Sequence, residues 1–219
     1  MKKPFDLNAD YQPESFAFNK ACKKKAEELI ALYPPGRQQS AVMPLLDLAQ
    51  RQVAEEGAKA DPPYGGWIPR AAMDHIAEIL GMEKVKVYEV ASFYSMYNMA
   101  PVGKYLVQLC TTTPCWLCGS DDIVKTCKKH LGIGMGETTK DGKFSLMEVE
   151  CLGACVNAPM MQINDDYFED LTSDTIKEVL DLLAEDMKPK VGSQRGRKGS
   201  MAMSGPTSLE DRAKKAGVA

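Results

Sequence analysis

The sequence predicts an α+β chain: a helical bundle up to about residue 100, followed by a small mixed α/β domain. Three observations predict it. Apolar residues recur at three- and four-residue spacing as far as Tyr97. After Pro101-Val-Gly103, short runs of strand-forming residues alternate with helical stretches. Four of the seven cysteines fall in two close pairs, each just after one of those short runs.

In the first part, Ala26, Leu29, Ile30 and Tyr33 mark one helix face, and Pro34-Pro-Gly36 stops that helix. Ser40 is placed to cap a second helix with Val42, Leu45, Leu46, Ala49 and Val53 inward, and Pro44 falls in its first turn, where N–H groups lack partners anyway. Asp61-Pro-Pro-Tyr-Gly-Gly66 is a turn cluster. Pro69 introduces a third helix that buries Met73, Ile76, Ala77 and Leu80 and ends before Gly81. A fourth runs from about Glu83 to Tyr97, with Val87, Val90, Ala91 and Tyr94 in register. Four amphipathic helices with short connections suggest a small bundle.

In the second part, Tyr105 to Cys110 reads as a strand. Ser120 is placed to cap a helix with Asp121 and Asp122 in its first turn, where the helix dipole favours acids, and with Val124, Cys127 and Leu131 as its stripe. Phe144 to Val149 is a second strand. Met160 to Ile163 and Tyr167 to Phe168 flank the turn residues Asn164-Asp165-Asp166. A last helix begins near Thr172 or Ser173 and buries Ile176, Val179, Leu180 and Leu183. The order β-α-β, then β-β-α, is compatible with a thioredoxin-like sandwich. From about Lys188 the chain is Gly, Ser, Pro and cations without periodicity, the pattern of an extended or disordered tail.

The net charge of −3 argues against nucleic-acid binding by the whole chain. It is unevenly spread: residues 187–219 hold eight Lys+Arg and two Asp+Glu, leaving an acidic body of 19 cations and 28 acids. The tail has no Phe, Tyr or Trp on which a base could stack. An odd cysteine count with no apolar leader at Met1-Lys-Lys-Pro-Phe-Asp fits a reducing compartment and not a disulfide framework. No apolar run is long enough to span a bilayer.

Cys110 and Cys115 form C-x4-C and Cys151 and Cys155 form C-x3-C, with thirty-five residues between the pairs. Each pair follows a strand, so both are placed to meet at one edge of a sheet. Four thiolates are the ligand set of an iron–sulfur cluster or of a structural zinc, and spacing alone leaves both open. Cys118 would let Cys115/Cys118 with Cys151/Cys155 satisfy zinc equally. The backbone N–H groups of 111–113 and 152–154 are positioned to point at sulfur, and Gly153 would let the chain pass close to a cluster. Cys115-Trp-Leu-Cys118 has the form of a redox pair, but Asp121 and Asp122 would oppose a thiolate there. Cys127 and Cys22 lie on apolar helix faces as core residues. His75 and His130 stand without triad partners, and Gly132-Ile-Gly134-Met-Gly136 follows a helix, so it reads as a helix stop and not a nucleotide loop.

Cys110-Thr-Thr-Thr-Pro-Cys115 and Glu148-Val-Glu-Cys-Leu-Gly-Ala-Cys-Val-Asn-Ala-Pro159 carry a resemblance. So do Tyr33-Pro-Pro-Gly-Arg-Gln-Gln-Ser40, Glu89-Val-Ala-Ser-Phe-Tyr94 and Tyr167-Phe-Glu-Asp-Leu171. The chain resembles the small [2Fe–2S] subunit of the NADH-oxidising module of respiratory complex I, often called the 24 kDa subunit, from about residue 15 to 187 and weakly at Gly205-Pro-Thr-Ser-Leu209. The resemblance implies a helical bundle and a thioredoxin-like domain carrying one [2Fe–2S] cluster. It implies Cys110, Cys115, Cys151 and Cys155 as the ligands, with Cys118 outside the set. The resemblance further implies single-electron exchange with FMN in a partner subunit that binds FMN and NADH, among the other peripheral-arm subunits, without membrane insertion. The setting it implies is the bacterial cytoplasmic side of the inner membrane, or else the mitochondrial matrix side. Relatives in NAD-linked hydrogenases and formate dehydrogenases, and a zinc-bound adaptor, are the alternatives. The expected division is an extension over 1–14, the bundle over 15–100, the cluster domain over 101–187 and a basic extended tail over 188–219.

Overall fold

The computed structural model describes residue 6, residues 9–205 and residues 208–217. Residues 1–5, on which most of the leader reading rests, lie outside the described residues, as do Pro206 and Thr207 of the tail motif. The chain divides into two compact units: residues up to Leu106 with Gly136–Ser145, and Val107–Met135 with residues from Leu146 onward.

Among the described residues, the first unit holds four α-helices. In α1 (Lys20–Ala31) the Asn19 side chain accepts from the Cys22 N–H, and Ala26 is buried. Helix α2 (Val42–Gly57) starts differently from expectation. Residues Gln38–Ala41 wind as a 3-10 turn that runs straight into it, so Ser40 makes no cap. The turn's own i→i+3 bonds take over part of the task of a capping side chain. Helix α3 (Arg70–Leu80) follows Pro69 and ends at Gly81, whose φ of +59° is a left-handed stop that glycine adopts without cost. Helix α4 (Lys84–Phe93) is shorter than expected, because the backbone turns extended at Tyr94. Tyr97 then folds back, buried, with its hydroxyl donating to the Met43 carbonyl at 2.9 Å. A large side chain buried with its polar end satisfied outweighs another helical turn. Leu45, Leu46, Met73, Ile76, Val87 and Ala91 form the core of this unit.

A five-stranded sheet of order β2-β1-β3-β4-β5 organises the rest. Strand β1 (Tyr105–Cys110) and strand β2 (Phe144–Val149) lie where the sequence predicts them. Between them α5 (Thr113–Leu117) and α6 (Ser120–Leu131) fold. Strands β3 (Met161–Ile163) and β4 (Asp166–Glu169) form an antiparallel hairpin about Asn164, whose φ is +53°, and β3 also runs antiparallel to β1. Helix α7 (Ser173–Ala184) opens with a reciprocal cap between Thr172 and Thr175 and buries Ile176, Val179, Leu180 and Leu183.

Three expectations are corrected. Ser120 is the first residue of α6, not its cap; Gly119 holds that position at φ +93°, and the Ser120 hydroxyl is buried. The α6 stripe runs through Ile123 and Cys127, with Val124 and Leu131 only half-buried. His130, a residue the sequence leaves standing alone, meets Asp181 of α7 through its Nε2 at 2.7 Å.

The tail is ordered beyond expectation. Strand β5 (Gly192–Ser193) adds parallel to β4, and α8 (Glu210–Lys215) is a short helix with Glu210 and Asp211 first and cations last. Among the described residues no helix is long and apolar enough to cross a membrane.

Candidate metal centre

Strand β1 delivers Cys110 to its end, 2% exposed. Thr112 is extended and starts the single turn of α5, with Pro114 in its opening positions. Cys115 lies on that turn, 1% exposed. Proline's preset φ favours that winding. Cys118 ends the turn with its N–H on the Pro114 and Cys115 carbonyls, and its thiol is exposed.

The second pair follows β2. Cys151 is exposed and Cys155 half-buried, where it opens a 3-10 turn, Cys155–Asn157. Between them Gly153 adopts φ +88° with open space where a Cβ would stand. Glycine is required there for its backbone angle, and no protein atom crowds the place where a Cβ would stand. The Ala158–Pro159 peptide is cis, and Met160 follows, buried.

The two segments meet. Cys110, Cys115 and Met160 form one buried cluster, against which Leu152, Ala154, Ala158 and Tyr167 pack. The sulfurs of Cys151 and Cys155 lie 3.3 Å apart. Cys110 and Cys115 share a hydrogen bond of their own, and the charge of Cys110 is felt at Cys151. All four sequence-predicted residues are thus brought together, as two pairs. Among the described residues, no three His, Cys, Asp or Glu side chains gather as the ligands of one ion.

In each pair one thiol's pKa is lowered and its partner's is raised. Burial alone pushes Cys110 up, but the Thr112 hydroxyl and N–H, Cys115 and the Leu152 N–H donate to its sulfur and together hold its pKa below the ordinary thiol value. Burial, then the bond to Cys110, pushes its partner Cys115 up to about 12, against a donated bond from the Met160 N–H. Cys151 is lowered chiefly by the Gly153 N–H, then by Cys155; Cys155 is raised because it is the one that donates to Cys151. Outside the site, burial pushes the helix-core Cys127 up to about 12.

This donor set fits a group that takes two thiolates at each of two metal atoms, with N–H groups facing the sulfurs. The donors from Thr112, Leu152 and Gly153 lie in the stretches the sequence singles out. The Met160 N–H and the Thr112 hydroxyl, 3.2 Å from the Cys110 sulfur, were not legible there. A hydroxyl two positions after a strand-end cysteine was the available signal for the second.

Comparison with known proteins shows the family. The model of the thioredoxin-like [2Fe–2S] ferredoxin family matches residues 26–184. A subunit of the NADH-quinone oxidoreductase of Rickettsia conorii is 54% identical over 172 residues, covering 78% of this chain and 96% of that protein. The mitochondrial NADH dehydrogenase [ubiquinone] flavoprotein 2 of Dictyostelium discoideum is 50% identical over 202 residues, 92% of this chain and 76% of its own length. The crystal structure of an NAD+-reducing [NiFe]-hydrogenase in the air-oxidized state superposes with a TM-score of 0.50 at 15% identity, over 64% of this chain and 23% of that one, a likeness of fold. With paired thiols at the strand ends and a family match over most of its length, the chain belongs to the thioredoxin-like [2Fe–2S] ferredoxin family.

Proposed function

We propose that this chain is the electron-transfer subunit of an NADH:quinone oxidoreductase, with Cys110, Cys115, Cys151 and Cys155 as the four ligands of its [2Fe–2S] cluster. The observation that carries this reading is the meeting of two thiol pairs from separate loops, each supplied with donors to sulfur. When bound, the cluster supplies single-electron exchange, which a flavin able to take a hydride and release electrons singly would use.

The chain's own residues set the conditions. Cys110 and Cys115 stand on the buried side, under Met160 and Leu152, which keeps water from half of the site. The N–H groups of Thr112, Leu152, Gly153 and Met160 stabilise negative charge on sulfur and so favour the reduced state. Cys115 and Cys155 must lose protons when metal is loaded. Hydride chemistry belongs to a partner that binds FMN and NADH, because nothing read in this sequence forms a nucleotide site. Trp116 and Leu117, beside Cys115, and Val156, beside Cys155, are large and exposed, as expected where a partner seats over the centre. The bundle is a second docking element. The assembly is the peripheral arm on the bacterial cytoplasmic side of the inner membrane, or on the mitochondrial matrix side.

The test combines this chain with the flavin-binding chain from the same source and adds NADH. The expected result is a stable complex in which NADH generates a [2Fe–2S] paramagnetic signal that neither NADH nor this chain gives alone. Failure of the two chains to associate, or a signal that NADH generates without the flavin chain, would contradict the reading.

A further inference from the structure

Residues 192–199 fall in the stretch whose composition marks it as a loose tail, yet they are bonded to the turn that carries Cys155. Asn157 is the junction. It is 3% exposed and closes the 3-10 turn that Cys155 opens. Its N–H donates to the Ala154 carbonyl at 3.0 Å, and its carbonyl accepts from the Asp170 N–H at 2.8 Å. Its side-chain amide nitrogen donates to Glu169 Oε2 at 2.5 Å and to the Gly199 carbonyl at 2.8 Å. Both of those partners only accept, so the amide orientation is fixed.

The tail is itself anchored. The Arg197 guanidinium grips the Asp170 carboxylate through two bonds, Nε to Oδ2 at 3.1 Å and a terminal nitrogen to Oδ1 at 2.9 Å. The Ser193 hydroxyl donates to the same carboxylate at 2.6 Å and accepts the N–H groups of Arg195 and Arg197. The side chains of Arg197 and Asp170 are 14% and 3% exposed, so solvent screens this fork little. Asp170 also holds a left-handed backbone, φ +52°, a conformation that Asp tolerates better than most non-glycine residues.

We infer that Asn157 is a positioning residue for Cys155, and that the strap from Gly192 to Gly199, clamped by Arg197 on Asp170, is part of the metal centre although it supplies no ligand. Cys155 and Asn157 share one turn, so a shift of Asn157 swings the Cys155 sulfur relative to that of Cys151. A chain lacking the strap would retain all four cysteines with one of them less well placed. This inference rests on the ligand assignment above.

The experiment uses the full chain loaded with its cluster and reduced, reading the g-values of its paramagnetic signal and the rate of iron release to a chelator. Truncation after Met203 keeps the strap and the Gly199 peptide carbonyl, and both readouts match those of the unaltered chain. Asn157→Ala and truncation after Val191 shift the g-values and speed iron release by about tenfold, the low end of the effect of losing a group that orients a metal ligand. Arg197→Lys, which keeps the charge but loses the fork, falls between. Unchanged g-values in both Asn157→Ala and the Val191 truncation overturn the inference, even if their melting temperatures drop. Should those two not fold, Arg197→Lys decides in the same way. An unaltered chain that takes up no [2Fe–2S] cluster would sink the ligand assignment itself, and this inference with it.

Discussion

The Tyr167 hydroxyl donates to the Leu152 carbonyl at 2.7 Å, fastening strand β4 to the loop between Cys151 and Cys155. The N–H of the same Leu152 faces the Cys110 sulfur. One phenol thus steadies a residue that touches the other pair's ligand. Tyr167→Phe removes the bond and little volume. It lowers stability by about 1 kcal/mol, the usual net worth of one hydrogen bond, in a denaturant titration. It also moves the reduction potential downward, because a looser Leu152 donates less well to sulfur.

Thr112 acts on Cys110 more directly, with its hydroxyl 3.2 Å from the sulfur. Thr112→Val keeps the shape and deletes the donor. Hydrogen bonds to sulfur favour the more negative, reduced state, so the potential falls in Thr112→Val and is restored in Thr112→Ser. A redox titration followed by paramagnetic resonance measures both.

Cys118 lies three residues from Cys115, yet the leading hydrogen bonds and charges acting on Cys110, Cys115, Cys151 and Cys155 link those four to one another and not to Cys118. Cys118→Ala therefore retains full iron and sulfide content. Single alanine replacements at Cys110, Cys115, Cys151 or Cys155 lose the intact centre, which colour and iron analysis will report. If Cys118→Ala loses the centre while Cys110→Ala keeps it, the ligand set is wrong.

The pH dependence follows from the thiols that the metal-free site holds protonated. Cys115 is pushed up to about 12 and Cys155 is also raised, while bound metal requires both as thiolates. Loading releases those protons, so affinity strengthens as pH rises and is lost as pH falls. Iron release to a chelator should be faster at pH 6 than at pH 8, and stripped protein should reload more completely at the higher value.

Strand β1, strand β2, helix α3 and helix α7 were legible because their patterns are long or their punctuation strong: Pro69 and Gly81 around α3, Thr172 before α7. That the cysteine pairs would meet was legible because close spacing after two strands is local information. What failed was set by tertiary context. The end of α4 depends on Tyr97 finding the Met43 carbonyl across the bundle. The cap at Ser120 was lost to Gly119, whose left-handed angle competes with a capping side chain for one position. The tail looked loose because its composition is polar, yet residues 192–199 are ordered by contacts far off in sequence: β5 on β4, Asn157 on the Gly199 carbonyl, and Arg197 with Asp170, 27 residues apart. Periodicity and composition carry no trace of such a pair.

The central claim is that two loops supply four sulfurs to a shared pair of irons. Iron, zinc and acid-labile sulfide analysis of the anaerobically purified chain tests it most directly. Two irons and two sulfides per chain, with a paramagnetic signal after reduction, is the predicted result. One zinc per chain with no sulfide would contradict it.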